Sequence, residues 1–270
     1  MSIQLFRSVQ CVPARFRGPV VTLGNFDGMH LGHQALLKKT VHVAKERQIP
    51  SVVISFYPHP GQFFSQNKSF TRLSTIYDKV LGMEACQVDC LVLIRFNQSI
   101  AAMSADQFVQ TVLHDALQVK QVVIGDDFHF GYKREGDVAF LKSVGEKYHF
   151  TVESMPRYDY AGSRVSSSRV REALNQGGLA LASALLGHHY TVTAHVQYGD
   201  ALGRRLGFPT INLRWRGVPP LTGVYTVRVH GIAATPLHGV ASSGTRPTVD
   251  GTYPLLEVHL FDFDQMIYGI

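Results

Sequence analysis

Between residues 20 and about 186 the apolar positions follow two alternating rhythms. Short β-rich runs at 20–23, 51–56, 90–96, 121–124 and 151–154 each precede a stretch with helical spacing, at 31–47, 75–85, 105–117, 138–147 and 167–175. That alternation predicts βαβ units and a parallel sheet covered on both faces, an α/β fold. Ser104 followed by Gln107 reads as a capping box, and Asn175-Gln176-Gly177-Gly178 as a helix stop. After Gly187 the texture changes: 190–198, 224–230, 238–241 and 255–261 read as strands separated by Gly, Pro and Thr, without helix-length periodicity. A second, all-β domain of barrel type is expected, so the chain divides into 1–187 and 188–270.

At 270 residues the chain is long enough for two modest domains, and its 45% hydrophobic and 17% charged residues are ordinary for a globular protein. No apolar run approaches the roughly 20 residues of a membrane span. Arg7, Arg15 and Arg17 interrupt the first twenty residues, which lack the apolar centre of a signal peptide. Cys11, Cys86 and Cys90 are an odd set with no C-x-x-C pair, which suits idle thiols in a reducing compartment and offers no zinc site. The reading is therefore cytoplasmic. A net charge of +6 favours polyanionic partners, but the basic residues fall in short clusters with no aromatic-interleaved stripe. Phosphorylated small molecules fit better than nucleic acid.

Gly24-Asn25-Phe26-Asp27-Gly28-Met29-His30-Leu31-Gly32-His33 falls at the carboxyl end of the first predicted strand, where ligands of open α/β sheets bind. Neither the Walker pattern nor G-x-G-x-x-G is present. Gly24 and Gly28 permit close backbone approach, and His30 and His33 sit at a helix start whose N–H groups and dipole favour an anion. Ring N–H donors there suit charge developing on a phosphorus centre. An isolated His-x-x-His pair is more often a surface helix start. Downstream, Arg164-Val165-Ser166-Ser167-Ser168-Arg169-Val170-Arg171 offers hydroxyls and guanidinium groups at another helix start, although serines there are commonly simple caps. Together the two motifs resemble the nucleotidyltransferase superfamily that attacks the α-phosphate of ATP.

The ordered set of residues 22–34, Ser55-Phe56-Tyr57-Pro58-His59-Pro60, Gly125-Asp126-Asp127-Phe128-His129-Phe130-Gly131 and 165–171 resembles the bacterial bifunctional riboflavin kinase/FAD synthetase family, over essentially the whole chain. The resemblance implies ATP contacts at Gly24, Asn25, Phe26, Asp27, His30, His33, Arg164, Ser167 and Ser168, with His30, His33 and Arg171 catalytic. It implies flavin contacts at Phe56, His59, Pro60, Asp127 and Phe128; Tyr57 and His129 depart from the acid and Arg that the family often carries. FMN would attack through its own phosphate, largely dianionic at neutral pH, so this half needs no general base. Mg²⁺ would ride on the phosphates of ATP.

A glycine-spaced basic loop, 199–207, leads into Phe208-Pro209-Thr210-Ile211-Asn212 and resembles the riboflavin kinase signature Gly-Phe-Pro-Thr-x-Asn. By that resemblance Thr210 and Asn212 hold Mg²⁺, while Gly203, Arg204 and Gly207 meet ATP. Glu257 matches the family's catalytic base for the ribityl 5′-hydroxyl. Thr245 and Arg246 fall in a flavin-side loop where Ser242 and Ser243 replace the usual Asn and apolar residue. Family members continue past Gly269 with a strand and a helix, so a chain ending at Ile270 is expected to hold an incomplete barrel. The implied function is conversion of riboflavin to FMN and of FMN to FAD with two ATP. One alternative is an FAD synthetase whose C-terminal module only binds or senses flavin. Another is an RNA-binding relative of the class I aminoacyl-tRNA synthetases, which share HxGH but need a tRNA-binding appendage. No nucleic-acid or membrane partner is expected, and oligomeric state leaves no mark in the sequence.

Overall fold

The computed structural model describes residues 2–65, 70–198, 208–214, 218–248, 251–263, 265 and 267, without the side chains of 214, 245–248 and 251–254. The chain order is β1 (Gln4–Phe6), β2 (Val20–Leu23), α1 (Leu31–Arg47), β3 (Ser51–Tyr57), α2 (Pro60–Phe64), α3 (Ile76–Ala85), β4 (Cys90–Arg95), α4 (Gln98–Ala101) and α5 (Ala105–Phe108). It continues through β5 (Gln121–Gly125), α6 (Val138–Tyr148), β6 (Thr151–Met155), the small hairpin β7 (Asp159–Tyr160) and β8 (Ser163–Arg164), α7 (Ser167–Asn175) and α8 (Leu179–Leu186). β1 to β6 form one sheet in the order β1-β4-β3-β2-β5-β6, with every pairing parallel.

These strands read as near-continuous apolar runs because both faces are covered. Val21, Val52, Ile54, Val92, Val122 and Ile124 pack on one side with Phe108, Val109 and Leu113, whereas Val53 and Leu91 pack on the other with Phe26, Leu37 and Met83. From β2 the chain runs outward through β3 to β4, then returns beside β2 as β5 and runs the other way to β6. The loops after β2 and β5 therefore diverge at a topological switch point, the crevice such sheets use for ligands.

The second sheet holds β9 (Val196–Gln197), β10 (Thr210–Arg214), β11 (Gly223–Val229), β12 (Leu237–Thr248) and β13 (Gly251–Leu260), antiparallel in the order β11-β12-β13-β10-β9. β10 lies beside β13 and not beside β11, which is a Greek-key order. Ile211 and Leu213 join Ala241, Leu256, Val258 and Leu260 in its core. Among the described residues no helix is long and apolar enough to cross a membrane.

The expected elements of the first sheet are present, and Ser104 and Gln107 form the capping box. Three features differ from expectation. The helix expected over 105–117 widens after Phe108 into a π-helix, Val109–Ala116, which still turns Val109 and Leu113 into the core. The strand expected over 190–198 shrinks to Val196–Gln197, because Tyr190 and Thr193 bond to the first unit instead of a ladder. β1, α2, α4, the β7–β8 hairpin, α8 and β10 add to the expected set.

Candidate functional site

The loop after β2 is held in an uncommon shape. Phe26, Gly28 and Met29 have φ of 48°, 87° and 47°. Gly28 is required there, since a Cβ would also lie 2.8 Å from Leu73 Cδ1. The non-glycine residues keep left-handed backbone because Phe26 is fully buried and Met29 nearly so. Phe26, implied as an ATP contact, is therefore a core residue that shapes the loop.

Asp27 is the hub of that loop and is 1% exposed. Its carboxylate accepts the Leu73 N–H at 3.1 Å on both oxygens, the Ser74 N–H and Oγ at 3.1 Å, and Arg171 Nη2 at 2.6 Å. Burial alone would raise its pKa, but Arg171, Lys79 and the Leu73 N–H together hold it below the usual carboxylate value. Lys79, 4% exposed, donates to the Asn25 carbonyl at 2.7 Å. Arg171 also donates Nε to the Thr71 carbonyl at 2.7 Å and lies 4.9 Å over the Phe70 ring. Ser167 Oγ donates to the Asp27 carbonyl at 2.7 Å. The expected catalytic Arg171 and ATP contact Asp27 thus spend their charge on each other, fixing the start of α7 against the loop before α1.

His30 caps α1: its Nδ1 accepts the His33 N–H at 3.2 Å. An accepting Nδ1 puts the proton of a neutral ring on Nε2, leaving one N–H donor for an incoming oxygen. The His30 and His33 rings stack at 3.6 Å, and His33 Nδ1 is buried without a partner among the described residues. Burial first and the Arg164 charge second lower the His30 pKa to about 4; burial and neighbouring His30 hold His33 well below its ordinary value. Both imidazoles are neutral at physiological pH. Cationic charge comes instead from Arg164 on β8, whose guanidinium pairs with Asp127 in the loop after β5. Ser168, exposed, stands in the first turn of α7, capped by Ser166.

On the β3 side, His59 caps α2 by accepting the Gly61 N–H at 2.9 Å and stacks on Phe70 at 4.3 Å; burial pushes its pKa down to about 4. Phe56 sits edge-on to Phe96 at 5.7 Å, and Phe128 stacks on Phe130 at 5.6 Å, both packed against the core.

These histidines set an acid limit. A His30 pKa of about 4 in the fold against 6.5 unfolded means that, between those values, the unfolded chain takes a proton that the fold refuses. Stability should fall as pH drops from 6.5 toward 4, by up to about 3 kcal/mol for His30 alone. Urea midpoints at pH 7.5 and 5 check this; equal midpoints would show that the buried rings accept protons in place.

The second constellation lies on the other sheet. Thr210 and Asn212 are two apart on β10, hence on one face, and stand opposite His259 and Glu257 of β13 in register. The intervening Ile211 and Leu213 face the core, as do Val258 and Leu260. His259 bonds the Pro209 carbonyl through Nδ1 at 2.9 Å, fixing the turn before Thr210. Gly203, Arg204 and Gly207 lie outside the described residues; Thr245 and Arg246 lie on β12, their side chains outside the description.

Sequence reasoning passed over Lys79, Ser74, Phe70 and Tyr190. Lys79 carried a readable signal: it occupies the stripe of Ile76 and Met83 on α3, where a lysine is buried only if paired.

Two family models match the chain, FAD synthetase over residues 12–169 and riboflavin kinase over 186–270. The chain is 43% identical to the bifunctional riboflavin kinase/FMN adenylyltransferase of Escherichia coli K12, over 93% of this chain and 81% of that protein. Its identity to the proteins of the same name is 40% in Haemophilus influenzae (99% and 87% covered) and 42% in Pseudomonas fluorescens (98% and 86%). A crystal structure titled as a macrolide-efflux protein from Streptococcus pneumoniae superposes with a TM-score of 0.82 at 29% identity, covering all of this chain and 88% of the other.

Proposed function

The chain belongs to the bifunctional riboflavin kinase/FMN adenylyltransferase family, and from that premise we propose how its residues divide the work. The protein is an ATP-dependent transferase that phosphorylates riboflavin to FMN and adenylylates FMN to FAD with release of pyrophosphate; ATP, riboflavin and FMN are its substrates. We assign adenylylation to residues 1–187 and phosphorylation to 188–270, a division supported by the separate sheets and by matches that end at 169 and begin at 186.

The stacked His30 and His33 at the switch point carry the first assignment. The FMN phosphate oxygen attacks the α-phosphorus of ATP, and the bond to the β-phosphate breaks. His30 donates Nε2–H to an oxygen gathering charge, and Arg164 exchanges Asp127 for phosphate. Ser168 and the first turn of α7 hold the leaving phosphates, while Gly24 and Asn25 line the approach. Arg171, Asp27 and Ser167 act by holding the loop in shape. Flavin lies toward His59, Pro60, Phe56, Asp127 and Phe128.

In the second half, Thr210 and Asn212 would hold Mg²⁺, and their neutral oxygens suit an ion that shares its shell with water and phosphate. The ion supplies charge neutralisation at the phosphates when bound. Glu257, across from Asn212, takes the proton of the ribityl 5′-hydroxyl as that oxygen bonds the γ-phosphorus and the bond from γ-phosphorus to the bridging oxygen breaks, releasing ADP. Gly203, Arg204 and Gly207 meet ATP, and Thr245 and Arg246 meet flavin. We further place the protein in the cytoplasm, supported by three free cysteines, two of them buried.

Incubating the chain with ATP, Mg²⁺ and either riboflavin or FMN, then separating the flavins, scores each half. Glu257→Gln should lower FMN formation by about 10²–10⁴ and spare FAD formation from added FMN. A parallel loss of both activities in a folded variant would end this division of labour.

A further inference from the structure

The wall of the adenylylation site is fastened from the stretch that matches riboflavin kinase. Tyr190, inside that match, donates its hydroxyl to the Leu73 carbonyl at 3.1 Å. The N–H of Leu73 and both donors of Ser74 bond Asp27 on the other side. Thr193 Oγ1 bonds Asp78 at 2.5 Å, and Asp78 closes the capping box of α3 with Thr75. Leu221 packs in the cluster that holds Leu73, and its carbonyl takes Ser243 Oγ of β12 at 2.8 Å. Residues 73–78 are thus gripped by Asp27 from one unit and by Tyr190, Thr193 and Leu221 from the other. Just before them, Phe70 supports both His59 and Arg171.

We propose that Tyr190 is a positioning residue for FMN adenylylation: its hydroxyl fixes the Leu73 carbonyl, and through residues 70–74 it sets the His59–Phe70 side where flavin binds. The inference rests on the placement of FMN given above. Burial raises the pKa of Tyr190, which keeps the hydroxyl a donor at physiological pH. Without it, a buried carbonyl loses its partner, and the wall it belongs to loosens. A wall that holds the flavin away from the reacting phosphate contributes binding shared by ground and transition states, so its loosening is read in KM rather than in kcat. The kinase-matched unit would then act as a brace for the other half of the protein.

Tyr190→Phe in the full chain removes the hydroxyl and keeps the ring. The KM for FMN should rise roughly 5- to 10-fold, as for one lost buried hydrogen bond, while kcat stays within about twofold. Riboflavin phosphorylation should be unchanged, and amides of residues 70–78 should exchange faster with no change in β2 or β5. An unchanged KM for FMN, or an equal fall in both activities with faster exchange throughout, would overturn the proposal. Failure of the unaltered chain to adenylylate FMN would instead overturn the functional assignment beneath it.

Discussion

His30→Ala is expected to lower kcat for FMN adenylylation by about 10²–10³, because it removes a preorganised donor aimed where phosphorus-centred charge develops. The size of the effect follows from its environment. The ring is nearly buried, its Nδ1 is committed to the His33 N–H, and its pKa of about 4 keeps it neutral, so Nε2–H acts as a fixed dipole rather than a charge. Alanine also removes the cap of α1, at a cost of about 1 kcal/mol. His30→Asn separates the two roles, since asparagine is among the best N-caps but cannot place a donor at the position of Nε2. Both variants should lose adenylylation equally, while only His30→Ala loses the capping energy in urea unfolding. Riboflavin phosphorylation serves as the internal control. If His30→Asn kept near-normal FAD formation, capping alone would explain the histidine.

The first sheet was legible because its strands are buried on both faces and its helices carry caps. Ser167–Asn175 begins after Ser166 and ends before Gly177, as the sequence marks it. The additions carry weak local signals. Gln4–Phe6 is three residues long, too short for alternation to show, and exists because it pairs with β4. Leu179–Leu186 is apolar nearly all round, so it has no stripe to announce a helix. Residues 190–198 do alternate as a strand should, yet Tyr190 and Thr193 spend their polar groups on Leu73 and Asp78. Tertiary contacts override the local pattern there. In the site, the motifs exposed which residues gather but not which of them face a ligand. Asp27 and Arg171 both suit phosphate chemistry on composition, and only the fold shows that they pair with each other.

That pairing sets the largest stability effect expected in the molecule. Asp27→Asn should cost about 3–5 kcal/mol, because removing one partner of a buried ion pair strands the other charge. Two cations depend on this carboxylate: Arg171, 2.6 Å away, and Lys79, which is 4% exposed and whose pKa burial already lowers to about 8. Geometry adds to the cost. Every group around Asp27 is a donor, namely the Leu73 and Ser74 N–H groups, Ser74 Oγ and Arg171 Nη2. An asparagine must turn its own NH₂ toward one of them and leave that donor unpaired. Lys79→Met in the Asp27→Asn background should therefore cost less than Lys79→Met alone, with a coupling of about 0.5–3 kcal/mol. FMN adenylylation should fall with stability, since Ser167 and the loop before His30 lose their common anchor. Urea unfolding of the wild type, both single variants and the double variant measures the cycle. Additive losses, or an Asp27→Asn variant within about 1 kcal/mol of the wild type, would show that Arg171 and Lys79 find other partners and that Asp27 is not the hub its contacts describe.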